Sequence, residues 1–298
     1  MMYASLNPGL IGIKTELADS LALAQRHGYR GLDAQIEPLH TAVIQTSAAA
    51  VRDQFAQHGL TPGVWNLPFK PYAQTTAKWR DALAKLPPLL ATAQSVGATR
   101  AGMWLSPGSY DRNYEQNFAF HVERFQPIAG LMADHGIQLG LEFIGPETML
   151  RLFKFPFVRS IAQTRELTRA IGPNCGQIID SYNWYCAGGT RADFEGLSSR
   201  EVVGIHLNDA PAGIPVSAQF DGVRRLPGTT GVIDLLGFMQ GLANAGYTGP
   251  ITAEPYDAEL SALPADESAA RTFRALQSAI NSIQSATQPG PLTTCAAT

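Results

Sequence analysis

Residues Gly136–Glu142 read GIQLGLE, and they set a pattern that the chain repeats. An amphipathic stretch ends at glycine, apolar residues follow, and the run stops at a charged side chain. Glycine just past a helix caps it, because without Cβ it enters the left-handed region at no steric cost. The short apolar run after it reads as a parallel strand buried on both faces. The pattern returns in Gly28–Asp33 (GYRGLD), Gly59–Trp65 (GLTPGVW), Gly97–Trp104 (GATRAGMW) and Gly246–Glu254 (GYTGPITAE). Cys175–Asp180 (CGQIID) and Val202–Asp209 (VVGIHLND) fill the remaining gap, and Leu10–Lys14 (LIGIK) is the candidate first strand.

Eight strands are therefore expected, near 10–14, 30–34, 62–66, 100–105, 138–143, 176–181, 202–207 and 250–255. Helical patterns lie between them. In Phe118–His135 the residues Phe118, Val122, Phe125, Ile128 and Met132 mark one buried face. Val232–Ala245 places Ile233, Leu236, Met239 and Leu242 likewise, with Asp234 near the helix start, where a carboxylate suits the dipole. Units of about 35 residues suit an α/β fold of the (β/α)8 TIM barrel type. A doubly wound open sheet would need a glycine-rich phosphate loop after its first strand. The segment after Gly12, IKTELADS, holds none. The reading is a single-domain barrel over 1–285 with a disordered tail over 286–298.

Composition removes several function classes. The 298 residues are 45% hydrophobic and 16% charged, enough to bury a sizeable core. A net charge of −3 gives no electrostatic footprint for nucleic acid. Cys175, Cys186 and Cys295 form no CxxC pair, which argues against a disulfide framework or a cysteine zinc finger. No apolar run reaches membrane-spanning length and no signal peptide is visible, so a cytoplasmic protein is expected.

In a barrel the C-terminal strand ends face the active site. Strand 5 ends in Glu142, strand 6 in Asp180 and strand 8 in Glu254, and strand 7 carries His206. Three carboxylates buried together repel one another unless a cation joins them. Two Glu, one Asp and one His make an oxygen-rich set for one divalent ion, Mn²⁺ first, with Mg²⁺, Co²⁺ or Zn²⁺ as alternatives. The other histidines read differently. His27, His58 and His135 precede capping glycines and suit helix C-terminal carbonyls, His40 falls in an expected loop, and His121 falls on a helix. Asp209, three after His206, either orients that ligand from behind or caps the loop. Trp65, Trp104 and Trp184, at or just past strand ends, are candidate stacking residues for a ligand; Lys14, Arg151 and Lys154 are weaker substrate-side candidates.

The quartet Glu142, Asp180, His206 and Glu254, in the settings LEFIG, IIDSYNWY, IHLNDAP and TAEPY, resembles the xylose isomerase-like TIM-barrel superfamily. The likeness is strongest to its sugar phosphate isomerase/epimerase branch, with ketose 3-epimerase, hydroxypyruvate isomerase and inosose dehydratase relatives. It covers about residues 10–280. The resemblance implies that Glu142 and Glu254 both hold the metal and exchange protons with a carbohydrate substrate, through an enediolate held by the metal. It also implies a substrate-side arginine before the LPG turn, here Arg225. Relatives carry a DxxHW-type motif; this chain has Asn183 in place of that His, followed by Trp184. Asn183 can hydrogen-bond a substrate hydroxyl but cannot act as acid or base near neutral pH. No phosphate cradle follows strand 8, which favours an unphosphorylated sugar.

The resulting expectation is a divalent-metal-dependent sugar isomerase or epimerase. The alternatives are a metal-dependent lyase or dehydratase on a keto sugar or keto glycoside, and a non-catalytic sugar-binding homologue. A DNA-repair nuclease of the same fold would need several strand-end histidines, and only His206 qualifies. A homo-oligomer is expected by analogy alone.

Overall fold

The barrel wall closes through one broken strand. The structure is a computed structural model that describes residues 1–286. Its main sheet is parallel throughout: β1 (Tyr3–Leu6), β2 (Gly31–Leu32), β3 (Thr61–Pro62 and Val64–Asn66), β4 (Arg100–Trp104), β5 (Gln138–Glu142), β6 (Cys175–Asp180), β7 (Val202–His206) and β8 (Pro250–Thr252). The first half of β3 pairs with β2 and the second half with β4, while β8 pairs with β1. The nine hydrogen-bonded segments are thus eight strands, one interrupted at Gly63.

The interruption has a steric cause. A Cβ on Gly63 would lie 1.9 Å from Asp33 Oδ1. The missing side chain lets that carboxylate enter the wall. Asp33 Oδ1 accepts from Ser5 Oγ (2.6 Å) and the Val64 amide (3.0 Å), and Oδ2 accepts from Thr252 Oγ1 (2.6 Å). One buried side chain just past β2 therefore ties β1, β3 and β8 together. Asp33→Ala would strand two hydroxyls and an amide, each worth about 1–3 kcal/mol when buried unpaired. Relief of the carboxylate's own desolvation offsets part of this. The expected loss is about 2–4 kcal/mol, read from the urea midpoint, with partial recovery in Asp33→Asn. An unchanged midpoint would show that the barrel closes without this tie.

The capping glycines Gly28, Gly59, Gly97, Gly136 and Gly246 all take φ between 66° and 85°, as the repeat requires. The helix expected over 118–135 is Tyr114–Asp134, started by a capping box of Asn113 and Gln116, with Phe125, Ile128 and Met132 buried. The helix expected over 232–245 is Leu235–Asn244. Asp234 caps it by accepting from the Gly237 amide, whereas Leu236 faces outward at 42% exposure. No helix among the described residues is long and apolar enough to cross a membrane.

The first strand is corrected. Leu10–Lys14 is not a strand; Pro8–Ile11 forms a 3-10 turn ending at Gly12, whose φ is 81°. Pro8 fixes the turn and gives no amide to a ladder. The strand is the earlier Tyr3–Leu6, and Ile11 serves the core instead. The expected tail over 286–298 lies outside the described residues beyond Ala286, which ends the helix Ala265–Ala286.

A short antiparallel ribbon, Gly108–Ser109 with Phe155–Pro156, joins the loops after β4 and β5. It lies on the side where the strands end.

Candidate metal centre

Parallel register brings the strand ends to one level. His206 is opposite Asp180 on one side and Thr252 on the other, two residues before Glu254. Glu142 closes β5 opposite Trp104. One potential ligand atom from each of Glu142, Asp180, His206 and Glu254 falls within 4.8 Å of all the others. Among the described residues this is the one such group.

The donor set fits a cation in detail. His206 Nδ1 is buried without a hydrogen-bond partner, 3.1 Å from Glu142 Oε2 and 3.4 Å from Glu254 Oε2. Ligands each about 2.1 Å from a shared ion sit about 3.0–3.4 Å apart in octahedral or tetrahedral geometry. The spacing matches, and the orphaned nitrogen has a role. Burial pulls the imidazole's pKa down, but Glu142 and Glu254 lift it well above its ordinary value. Without a cation, the imidazolium carries the compensating charge.

That proton must leave when a metal takes the nitrogen, so binding competes with protonation. The raised pKa sets the sign. Below it, affinity for Mn²⁺ should fall about tenfold per pH unit, with about one proton released per ion bound. Calorimetry in buffers of different ionisation enthalpy checks this. Uptake with equal affinity at about pH 6 and about pH 8 would contradict it.

The other partners hold the carboxylates still. Asn183, fully buried, donates from Nδ2 to Glu142 Oε1 (3.1 Å) while its Oδ1 accepts the Gly145 amide. This leaves Oε2 of Glu142 facing His206. Asn183 thus lies behind a ligand and does not face the cleft, in place of the expected substrate contact. Asp180 Oδ1 accepts the Asn183 amide (2.6 Å), and Oδ2 accepts Asn208 Nδ2 (2.6 Å). Asn208 also accepts the Glu254 amide on Oδ1 (2.7 Å), linking β6 to the end of β8. Sequence reasoning missed Asn208, although strand alternation puts it on the same side as His206, two residues earlier.

Arg224 was also missed. Its side chain is 2% exposed; Nη1 donates to Glu254 Oε2 (2.7 Å) and Asp180 Oδ2 (3.1 Å), and Nη2 to Asp221 Oδ1 (2.8 Å). Burial raises the Asp180 pKa against the pull of Arg224, whereas Glu254, equally buried, is drawn down by His206 and Arg224. A divalent ion and Arg224 together would neutralise the three ligand carboxylates. Arg225 is corrected as the site arginine. Its backbone bridges to Asp209, and its guanidinium turns out to the Arg224 carbonyl (2.8 Å). Adjacent residues on an extended segment face opposite ways, so only one of the pair points inward.

Tyr256 donates its hydroxyl to Glu254 Oε1 (2.7 Å). Its φ is 42°, the one positive value at a non-glycine among the described residues. Such a conformation costs about 1–3 kcal/mol and persists where surrounding contacts fix it.

The whole chain can now be compared with known proteins. The profile of the xylose isomerase-like TIM barrel family matches residues 21–279. The chain belongs to that family. A xylose isomerase domain protein from Alicyclobacillus acidocaldarius is 30% identical, with a TM-score of 0.84 over 95% of this chain and 100% of the other. The IolI protein with a bound zinc atom is 18% identical, TM-score 0.78, over 94% and 98% of the chains. D-psicose 3-epimerase from Clostridium cellulolyticum H10, solved with D-tagatose, is 13% identical, TM-score 0.68, over 91% and 94%. The last two likenesses are of fold. No curated protein matches the sequence.

In this xylose isomerase-like barrel the remaining candidates separate. Trp104 is 41% exposed and walls a cavity of about 200 Å³ that Glu142 and Glu254 of the quartet line, with Ile144, Met149, Asp221, Arg224 and Tyr256. Trp65 is core: it is buried and its Nε1 donates to the Ala98 carbonyl (2.9 Å). Trp184 is also turned away, donating to Asp193 Oδ2 (3.0 Å) and packing on Phe194 and Phe238. Asp209 does not orient His206. Its carboxylate accepts the amides of Ala210, Thr230, Gly231 and Ile233, so it caps the loop after β7. Arg151 pairs with Glu147 on the surface, and Lys154 lies against Phe155. His58 bonds the Gln54 carbonyl as expected of a helix end, but His27 meets Asp266 and His135 meets Gln94. His40 lies on the helix Ile36–Gln45 and not in a loop. His121 sits buried among aromatic rings, where desolvation lowers its pKa to about 4.

Proposed function

We propose that this chain is a divalent-metal-dependent sugar isomerase or epimerase. The observation that carries the reading is the orphaned His206 Nδ1 flanked by Glu142 and Glu254 oxygens at ligand–ligand spacing. Glu142, Asp180, His206 and Glu254 would hold the ion, with Mn²⁺ the proposed metal. A bound ion there supplies Lewis-acid polarisation of a sugar carbonyl, which acidifies the neighbouring C–H. The protein's own groups then have distinct tasks. Glu142, held by Asn183, and Glu254, held by Tyr256 and Arg224, take a proton from carbon and return it. Arg224 keeps Glu254 charged. Ile144 and Met149 keep that wall of the cavity dry.

Other observations support the same reading. Proteins that share the fold are named as a xylose isomerase domain protein, D-psicose 3-epimerase and a probable 3-DHS dehydratase. An epimerase solved with a ketose shares the fold across nearly the whole chain. The test is solvent exchange. Metal-loaded protein incubated in D₂O with a panel of keto- and aldo-sugars should incorporate deuterium at the carbon beside the carbonyl, and metal-stripped protein should not. Metal-loaded protein that exchanges none of the panel would overturn the proposal.

A further inference from the structure

The quartet lies at one end of a longer depression. Three hollows on the strand-end face share walls. Trp104 belongs both to the cavity that Glu142 and Glu254 line and to a second of about 240 Å³, which Asn66, Glu37 and Lys70 also line. Gln35 belongs to that second hollow and to a third of about 430 Å³, where Asn7, Lys14 and Glu16 converge. Taken alone, the first cavity, at about 200 Å³, is below the roughly 300–1,000 Å³ of a site for a larger ligand; the joined hollows reach that range.

The lining indicates the ligand's chemistry. Trp104 presents an exposed indole at the junction, with Tyr72 edge-on at 5.8 Å and Lys70 Nζ 4.3 Å from its centroid. An accessible ring beside amide side chains suits the apolar face and hydroxyl edge of a sugar or an aryl group. Charges along the two outer hollows alternate: Lys14 and Lys70 against Glu16 and Glu37. Asp33 at the floor has its oxygens already taken by Ser5, Val64 and Thr252. None of the three hollows has the surplus of positive charge that a phosphate or a carboxylate needs.

We infer that the substrate is a neutral reducing sugar or ketose that carries a second ring, its carbonyl-bearing sugar at the quartet and its second ring across Trp104 between Gln35 and Lys70. This rests on the metal-dependent sugar enzyme proposed above and names its substrate class. The test is calorimetry on Mn²⁺-loaded full-length protein, with metal content measured in the same samples. The ligands are glucose, galactose, mannose and fructose, each beside reducing disaccharides that carry the same sugar at the carbonyl end.

At least one two-ring ligand should bind about tenfold or more tightly than its single-ring counterpart. That advantage should shrink to about threefold or less in both Trp104→Ala and Gln35→Ala, with metal content unchanged. Equal affinities in every pair, no binding in any, or an advantage that survives both substitutions would overturn the inference. Each of those results in metal-bearing protein leaves the metal centre standing. Protein without metal is instead the failure of the underlying reading.

Discussion

Glu254→Gln is expected to lower the deuterium exchange of the best sugar about 10²–10⁴-fold while the protein still takes up metal. The carboxamide keeps the side chain's size and one oxygen for the ion. With that oxygen toward the ion and Arg224, the amide nitrogen turns to Tyr256, whose hydroxyl then accepts in place of donating. What it loses is basicity. Metal affinity should weaken because a neutral oxygen replaces an anionic one. Exchange must therefore be measured at saturating Mn²⁺, with occupancy checked by elemental analysis. Full exchange in a loaded Glu254→Gln protein would remove Glu254 from the proton-transfer role and leave Glu142 to account for the reaction alone.

The second large effect concerns Arg224. Arg224→Ala removes a buried cation that contacts Asp180, Glu254 and Asp221. Breaking a buried ion pair from one side costs about 3–5 kcal/mol, because the carboxylates left behind are neither solvated nor paired. That loss should appear in the denaturation midpoint of metal-free protein. A divalent ion contributes charge at the same place, so saturating Mn²⁺ should recover more stability in Arg224→Ala than in wild type. Equal stabilisation of both proteins by Mn²⁺ would show that the ion and Arg224 do not act on the same carboxylates.

The barrel was legible because its local rules agree with one another. Glycine after each helix, a short apolar run and a charged residue at its end are each weak signals. Repeated along the chain, they fix strand order and the level at which Glu142, Asp180, His206 and Glu254 meet. The exception was the first strand, where apolar Leu10–Lys14 drew the reading away from Tyr3–Leu6. Leu10–Lys14 has the right composition, but Pro8 and Gly12 commit it to a turn.

The surroundings of the site were less legible, since they depend on which way a side chain turns by a single residue. Arg224 and Arg225 are chemically identical and adjacent, and only the Asp209–Arg225 bridge settles which one faces inward. Trp65 lies within β3 and Trp104 ends the neighbouring β4, yet one is sealed in the core and the other lines the cavity. Asn183 marked a departure from the relatives' motif. Its contacts with Glu142 and Gly145 give it a positioning task that composition could not reveal. Tyr256 gave no sequence signal, because its strained backbone is a property of the folded loop.

The measurement that bears most directly on the whole account is metal content by elemental analysis, on wild type and His206→Ala purified side by side and incubated with Mn²⁺. The account predicts about one divalent ion per chain in wild type and a loss of at least about tenfold in affinity in His206→Ala, with both proteins folded. No metal in wild type, or equal metal in both proteins, would contradict it.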